Sequence, residues 1–119
     1  MNSPATLLAM LAPRRLSVGT YNVTLLSVIQ AFKHKGLERF FKTGSKAGIQ
    51  PAHANRLKLI LLRLNHARIP RDMNLPGLKL HELEGDKAGF YSVWVNGDWR
   101  IVFRFDGEHV TGVDYVDYH

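Results

Sequence analysis

The chain of 119 residues contains no cysteine. That removes disulfides and thiolate metal sites, and it fits a reducing compartment, with the cytoplasm as the default. Long apolar runs are missing as well. Leu7, Leu8, Met10 and Leu11 form too short a run to cross a membrane, and Arg14 and Arg15 follow it where a signal peptide would carry its charge in front. Residues 1–27 are therefore expected to be neither anchor nor export signal. Acidic side chains are scarce, ten against sixteen Lys and Arg, for a net charge of +6. The scarcity is uneven. Residues 29–72 hold ten basic side chains against Glu38 and Asp72, whereas residues 73–119 hold four basic and eight acidic ones. A basic first half attracts phosphate backbones, in RNA, DNA or a ribosome, and equally an acidic protein; as a plain solvated helix surface it needs no partner.

What is present suffices for one domain. A chain of this length with 45% hydrophobic residues buries one modest core and not two. Leu37, Phe40 and Phe41 recur at helical spacing ahead of Gly44, and Ala54, Leu57, Leu61 and Leu64 form the stripe of a longer helix with Pro51 in its first turn. These stripes read as core and hold no cofactor box. The stretch from Ala67 to Leu78, with Pro70, Pro76 and Gly77, reads as a connection, and Leu78 to His81 as a strand whose His81 points away from Leu78 and Leu80. Three more strands follow, Phe90 to Val95, Asp98 to Phe105 and Glu108 to Tyr118, with Asn96-Gly97 and Asp106-Gly107 expected to supply the positive-φ residues of tight hairpins. On the middle strand Trp99, Ile101, Phe103 and Phe105 share the core face, opposite Arg100, Val102 and Arg104.

The chain then ends on Asp117, Tyr118 and His119, a carboxylate, a phenol and an imidazole where apolar residues would finish a sheet more cheaply. Alternation puts Tyr115, Asp117 and His119 on one side and Val116 and Tyr118 on the other, so that Asp117 and His119 are expected to act together. Among the remaining histidines His34, His53, His66 and His109 read as surface or packing residues.

The run Leu78-Lys79-Leu80-His81-Glu82-Leu83-Glu84-Gly85-Asp86-Lys87-Ala88-Gly89-Phe90-Tyr91-Ser92-Val93, then Asp98-Trp99-Arg100-Ile101-Val102-Phe103 and Val116-Asp117-Tyr118-His119, resembles the HigB toxins of the RelE/ParE superfamily. Ile29 to Gly36 looks like the start of such a toxin, and the resemblance covers about three quarters of the chain in order. It implies an α+β, RelE-like fold in the order β-α-α-β-β-β-β, with two helices packed on a small, mainly antiparallel sheet, over residues 28–119. Residues 1–27 are then an extension, either a mis-assigned start, since Val28 stands where a GTG codon would begin the toxin, or a disordered or loosely docked tail.

The resemblance further implies a type II toxin: a ribosome-dependent endoribonuclease that cuts messenger RNA in the 30S A site. It implies a HigA-type helix-turn-helix antitoxin, with DNA reached only through that antitoxin, and no membrane. RNA cleavage without a metal asks for a base at the 2′-OH, positive charge at the phosphate and an acid at the departing 5′-oxygen. The carried-over catalytic residues are His81, Asp117, Tyr118 and His119, with no cofactor. Arg100, Lys79, Lys87, Arg56 and Lys58 are the expected phosphate and RNA contacts. One departure stands out: Glu82 and Glu84 occupy the neighbourhood where many RelE-type nucleases place a basic residue, so phosphate stabilisation falls on Arg100, Lys79 or Lys87, or cleavage is weak. Asp114, Asp117 and His119 have ligand chemistry but too few partners for a closed metal site. A ParE-like gyrase inhibitor and a non-catalytic nucleic-acid or antitoxin-binding module are the other readings, against which the terminal Asp-Tyr-His argues.

Overall fold

The structure, a computed structural model, describes residues 28–118; the extension over 1–27 and the terminal His119 lie outside the described residues. Helix α1 (Lys35–Thr43) starts where the His34 side chain accepts the Leu37 N–H at 2.9 Å and stops at Gly44, whose φ of 84° and N–H bond back to the Phe40 carbonyl form a left-handed cap. A short 3-10 turn, Pro51–His53, leads into helix α2 (Ala54–Leu64), the proline sitting where a missing N–H costs nothing. The expected stripe on α2 is buried, and Ile60 widens it.

Four strands, β1 (His81–Glu82), β2 (Phe90–Asn96), β3 (Trp99–Asp106) and β4 (His109–Asp117), pair antiparallel in chain order. Leu37, Leu57 and Leu61 of the helices join Val93, Ile101 and Phe103 of the sheet in one buried cluster. The described residues are thus α+β, two helices with a four-stranded antiparallel sheet. His34 and His53 have packing roles, His34 as the α1 cap and His53 buried, while His66 bonds the Leu62 carbonyl and His109 meets Gln30, both at the surface.

Four details differ from expectation, each for a local reason. Both hairpins turn on Gly97-Asp98 and Gly107-Glu108, one residue later than expected, because glycine leads the turn with φ of 56° and 66° while Asn96 and Asp106 still belong to the strands. The strand expected from Leu78 is only His81–Glu82, since Lys79 takes φ of 52° and cannot extend. Strand β4 carries a bulge: Val102 pairs with Asp114 and Arg104 with Thr111, so Gly112, at φ 64°, and Val113 together face Phe103. The bulge resets the alternation, so that Val110 and Val113, three residues apart, are both fully buried.

That bulge also explains the fourth difference. The strand expected ahead of α1 is two isolated parallel bridges, Ile29 to Val110 and Phe32 to Val113, because β4 offers aligned edge positions three residues apart, not two. Besides backbone hydrogen bonds to Val110 and Val113 of β4, the segment is held by the buried Asn65 at the end of α2, whose side-chain oxygen accepts the N–H groups of Val28 and Ile29 at 3.1 and 3.2 Å.

Candidate active site

Cross-strand partners in a sheet point to the same face, so the ladder sorts the expected site residues. His81 pairs with Ser92, Ser92 with Val102 and Val102 with Asp114, one row across the face turned away from the core cluster. The next row on that face is Trp94, Arg100 and Val116. Tyr118 continues it: its N–H bonds the Asp98 carbonyl at 2.9 Å and its side chain is 54% exposed. The outer face therefore brings together the rows of His81, Arg100 and Tyr118, with His81 exposed and Arg100 half-buried. Tyr118 is not a core residue.

Asp117 falls on the other side. It pairs opposite Trp99 and shares its face with Tyr115, at the exposed end of the strand. Beneath it Tyr115 is buried, its hydroxyl 2.6 Å from His53 Nδ1 and accepting the Gln50 N–H at 3.4 Å, with the Trp99 ring 4.4 Å away. With one lone pair taken by Gln50, donation to His53 leaves both groups satisfied. Burial raises the Tyr115 phenol above its ordinary 10.0, and the nearby Asp117 carboxylate pushes the same way against the Gln50 hydrogen bond. His119, the expected partner of Asp117, lies outside the described residues.

The cationic residues separate into three places. Arg100 Nη1 donates to the carbonyls of Gly97 and Trp99, at 2.9 and 3.0 Å, and has no carboxylate partner among the described residues. Arg56 Nη2 reaches the carbonyls of Gly77 and Trp94, at 2.7 and 3.3 Å, and Lys79 stands 4.5 Å from the centre of the Trp94 ring. Lys87 instead lies 5.1 Å from the Phe90 ring, beside Arg104. Lys58 lines a groove of about 440 Å³ between α1 and α2, over Phe40, Phe41, Leu61 and Leu62. Glu82 and Glu84 are exposed next to His81 and make no ion pair among the described residues.

Asp114 spends its carboxylate on the Tyr115 N–H at 2.9 Å and on Lys33 at 3.9 Å, facing away from Asp117, and no group of three metal-ligating side chains forms among the described residues. No helix among them is long and apolar enough to cross a membrane. The sequence reading passed over Trp94. Its signal was there: Tyr91, Val93 and Val95 alternate into the core, which leaves a large indole on the Arg100 face.

Comparison with known proteins identifies the family. A model of the RelE-like toxins of the type II toxin-antitoxin system HigB matches residues 30–119. Endoribonuclease HigB of Proteus vulgaris is 35% identical over 92 residues, 77% of this chain and all of that protein. Toxin HigB-1 of Vibrio cholerae serotype O1 is 32% identical over 91 residues, 74% of this chain and 94% of that one. The sheet with His81 at its edge and Asp117-Tyr118 at its end lies within the residues that the family model matches, and the chain belongs to the RelE-like HigB toxins of type II toxin-antitoxin systems.

Proposed function

We propose that this toxin is an endoribonuclease that cuts messenger RNA on the translating ribosome, in the 30S A site, and is neutralised by a HigA-type helix-turn-helix antitoxin. The observation that carries the reading is similarity, over the whole length of that protein, to one named as an endoribonuclease, combined with an exposed His81 on the face that also holds Arg100 and Tyr118. His81 and His119 divide the roles of base and acid. One takes the 2′-OH proton as that oxygen attacks the phosphorus, and the other protonates the 5′-oxygen as its bond to phosphorus breaks. Products are a 2′,3′-cyclic phosphate and a 5′-hydroxyl. Asp117 orients His119, Tyr118 stacks on a base, and Arg100 bears the charge of the pentavalent phosphate. The proton transfers need no cofactor. Binding to DNA passes through the antitoxin, and the site of action is the cytoplasm, where the ribosomes are.

Primer extension on messages translated in vitro tests this reading. The expected result is discrete cuts that fall by about 100- to 10,000-fold in His81→Ala and in His119→Gln while antitoxin binding persists. Full cutting by both variants removes the site, and supercoiling defects or DNA breaks without cut messages replace the reading with gyrase inhibition.

A further inference from the structure

Three cations converge on one tryptophan at the end of the outer face. The Lys79 ammonium lies 4.5 Å and the Arg56 guanidinium carbon 5.1 Å from the centre of the Trp94 ring. The two charges therefore stand no more than about 10 Å apart, within one screening length at 0.1 M salt. Arg100 joins them as the cross-strand partner of Trp94, and its Nη1 shares the Gly97 carbonyl with the indole N–H, both at 2.9 Å. Among the described residues no carboxylate lies within ion-pair distance of any of the three. Both guanidiniums are clamped by main-chain carbonyls, so the cluster is held ready and not gathered on demand.

The backbone pays for the arrangement. Lys79 is the only non-glycine described residue with positive φ, at 52°, a conformation that a β-carbon disfavours. Strain of this kind persists where the surroundings dictate it, and here they do: the Leu78 carbonyl accepts the Trp94 N–H at 2.7 Å, fixing the chain just before Lys79. Like charges gathered without a counter-charge, on a strained backbone two residues from His81, fit a polyanion.

We infer that Arg56, Lys79 and Arg100 form a phosphate-binding subsite for single-stranded RNA, with Trp94 as the positioning residue that holds them together. The inference rests on the nuclease reading and deepens it. The subsite supplies, from the sheet end, the positive charge that Glu82 and Glu84 deny on the other side of His81. An acidic protein segment would meet the same charges, but the small ring-centred cluster matches phosphates spaced along a strand better than a broad peptide face.

The test uses the Trp99→Phe protein, in which Trp94 is the single tryptophan, titrated with a non-cleavable 2′-O-methyl RNA oligonucleotide while Trp94 emission is followed at several salt concentrations. Saturable change in emission is expected. In the Lys79→Gly variant affinity falls several-fold and the slope of log affinity on log salt shrinks by about 0.7, one lost single-strand phosphate contact. Glycine relieves the strained φ, so its thermal melt holds or rises and the loss is not misfolding. Trp94→Ala, read by fluorescence anisotropy of labelled RNA, loses more than one contact, and Trp94→Phe restores part of it. Parental affinity and slope in both Lys79→Gly and Trp94→Ala overturn the subsite, as does emission that answers to poly-glutamate and not to RNA. RNA binding with these dependences but no cut messages leaves the subsite standing and removes the nuclease; cut messages with unaltered variants do the reverse.

Discussion

The two tryptophans lie on neighbouring strands, five residues apart, in opposite surroundings. Trp99 faces the core side, 4.4 Å from Tyr115 and 5.7 Å from His53, among rings tied by a hydroxyl–imidazole hydrogen bond. Trp94 faces outward among Lys79, Arg56 and Arg100. One indole contributes area to a core; the other is a platform for charge. The difference teaches that alternation in a hairpin assigns side chains to two jobs, and that residue type alone assigns neither.

Exchange of the two tests that contrast most strongly. Both indoles are half-buried, but only Trp99 packs against the core cluster, so Trp99→Ala is expected to lower the unfolding free energy by about 3 kcal/mol and Trp94→Ala by about 1 kcal/mol, the scale of a cation–π contact near the surface. Urea denaturation of the two variants reads this directly, and equal losses would erase the distinction.

A smaller effect is expected at the polar link of the core side. Tyr115→Phe removes the partner of His53 Nδ1 and of the Gln50 N–H, at a cost of about 1–3 kcal/mol. It also changes the alkaline limb. The folded phenol stays neutral where the unfolded one ionises, so the stability it contributes is complete below pH 10.0 and is lost as pH rises through the raised folded value. Melting temperature against pH should therefore begin to drop above pH 10.0 in the parent and flatten in Tyr115→Phe.

The smallest effect marks the solvated side of the molecule, on α1. Glu38 accepts from Lys42 at 2.9 Å, and that hydrogen bond, more than the charges of Lys42 and Lys35, holds its carboxyl below the ordinary 4.5. Its contribution is present above 4.5 and fades as pH falls through the lowered value. Glu38→Gln should cost only a few tenths of a kcal/mol, as helix-surface pairs do, and less at high salt. A larger loss in urea denaturation would mean that α1 carries more than local weight.

Much of the fold was legible because its signals are local. The two helix stripes, the Gly44 cap and the glycines of both hairpins are read within a few residues, and Trp99, Ile101 and Phe103 showed which face of β3 is inside. The shift of each turn by one residue was not legible, since Asn-Gly and Gly-Asp both satisfy a two-residue loop until the strands choose a register. Nor was the bulge at Gly112, because a strand pattern continues through it unless Phe103 is seen opposite two residues. Of the candidate site, His81 and Tyr118 were named from the family resemblance and Arg100 from the charge that RNA cleavage needs; alternation already parted Asp117 from Tyr118, and the ladder sets His81, Arg100 and Tyr118 on one face.

The sequence by itself determined the class of fold, the helix and strand faces and the family, because periodicity, caps and motif order are properties of neighbours along the chain. Tertiary structure alone decided that Lys79 would leave the extended region, that a parallel edge strand would shrink to two bridges, and that Arg56 of a helix would meet Lys79 of a loop over Trp94 of a strand. The meeting over Trp94 brings together groups 15 to 38 residues apart and the bridges join residues 81 apart, and no local window contains both sides of either contact.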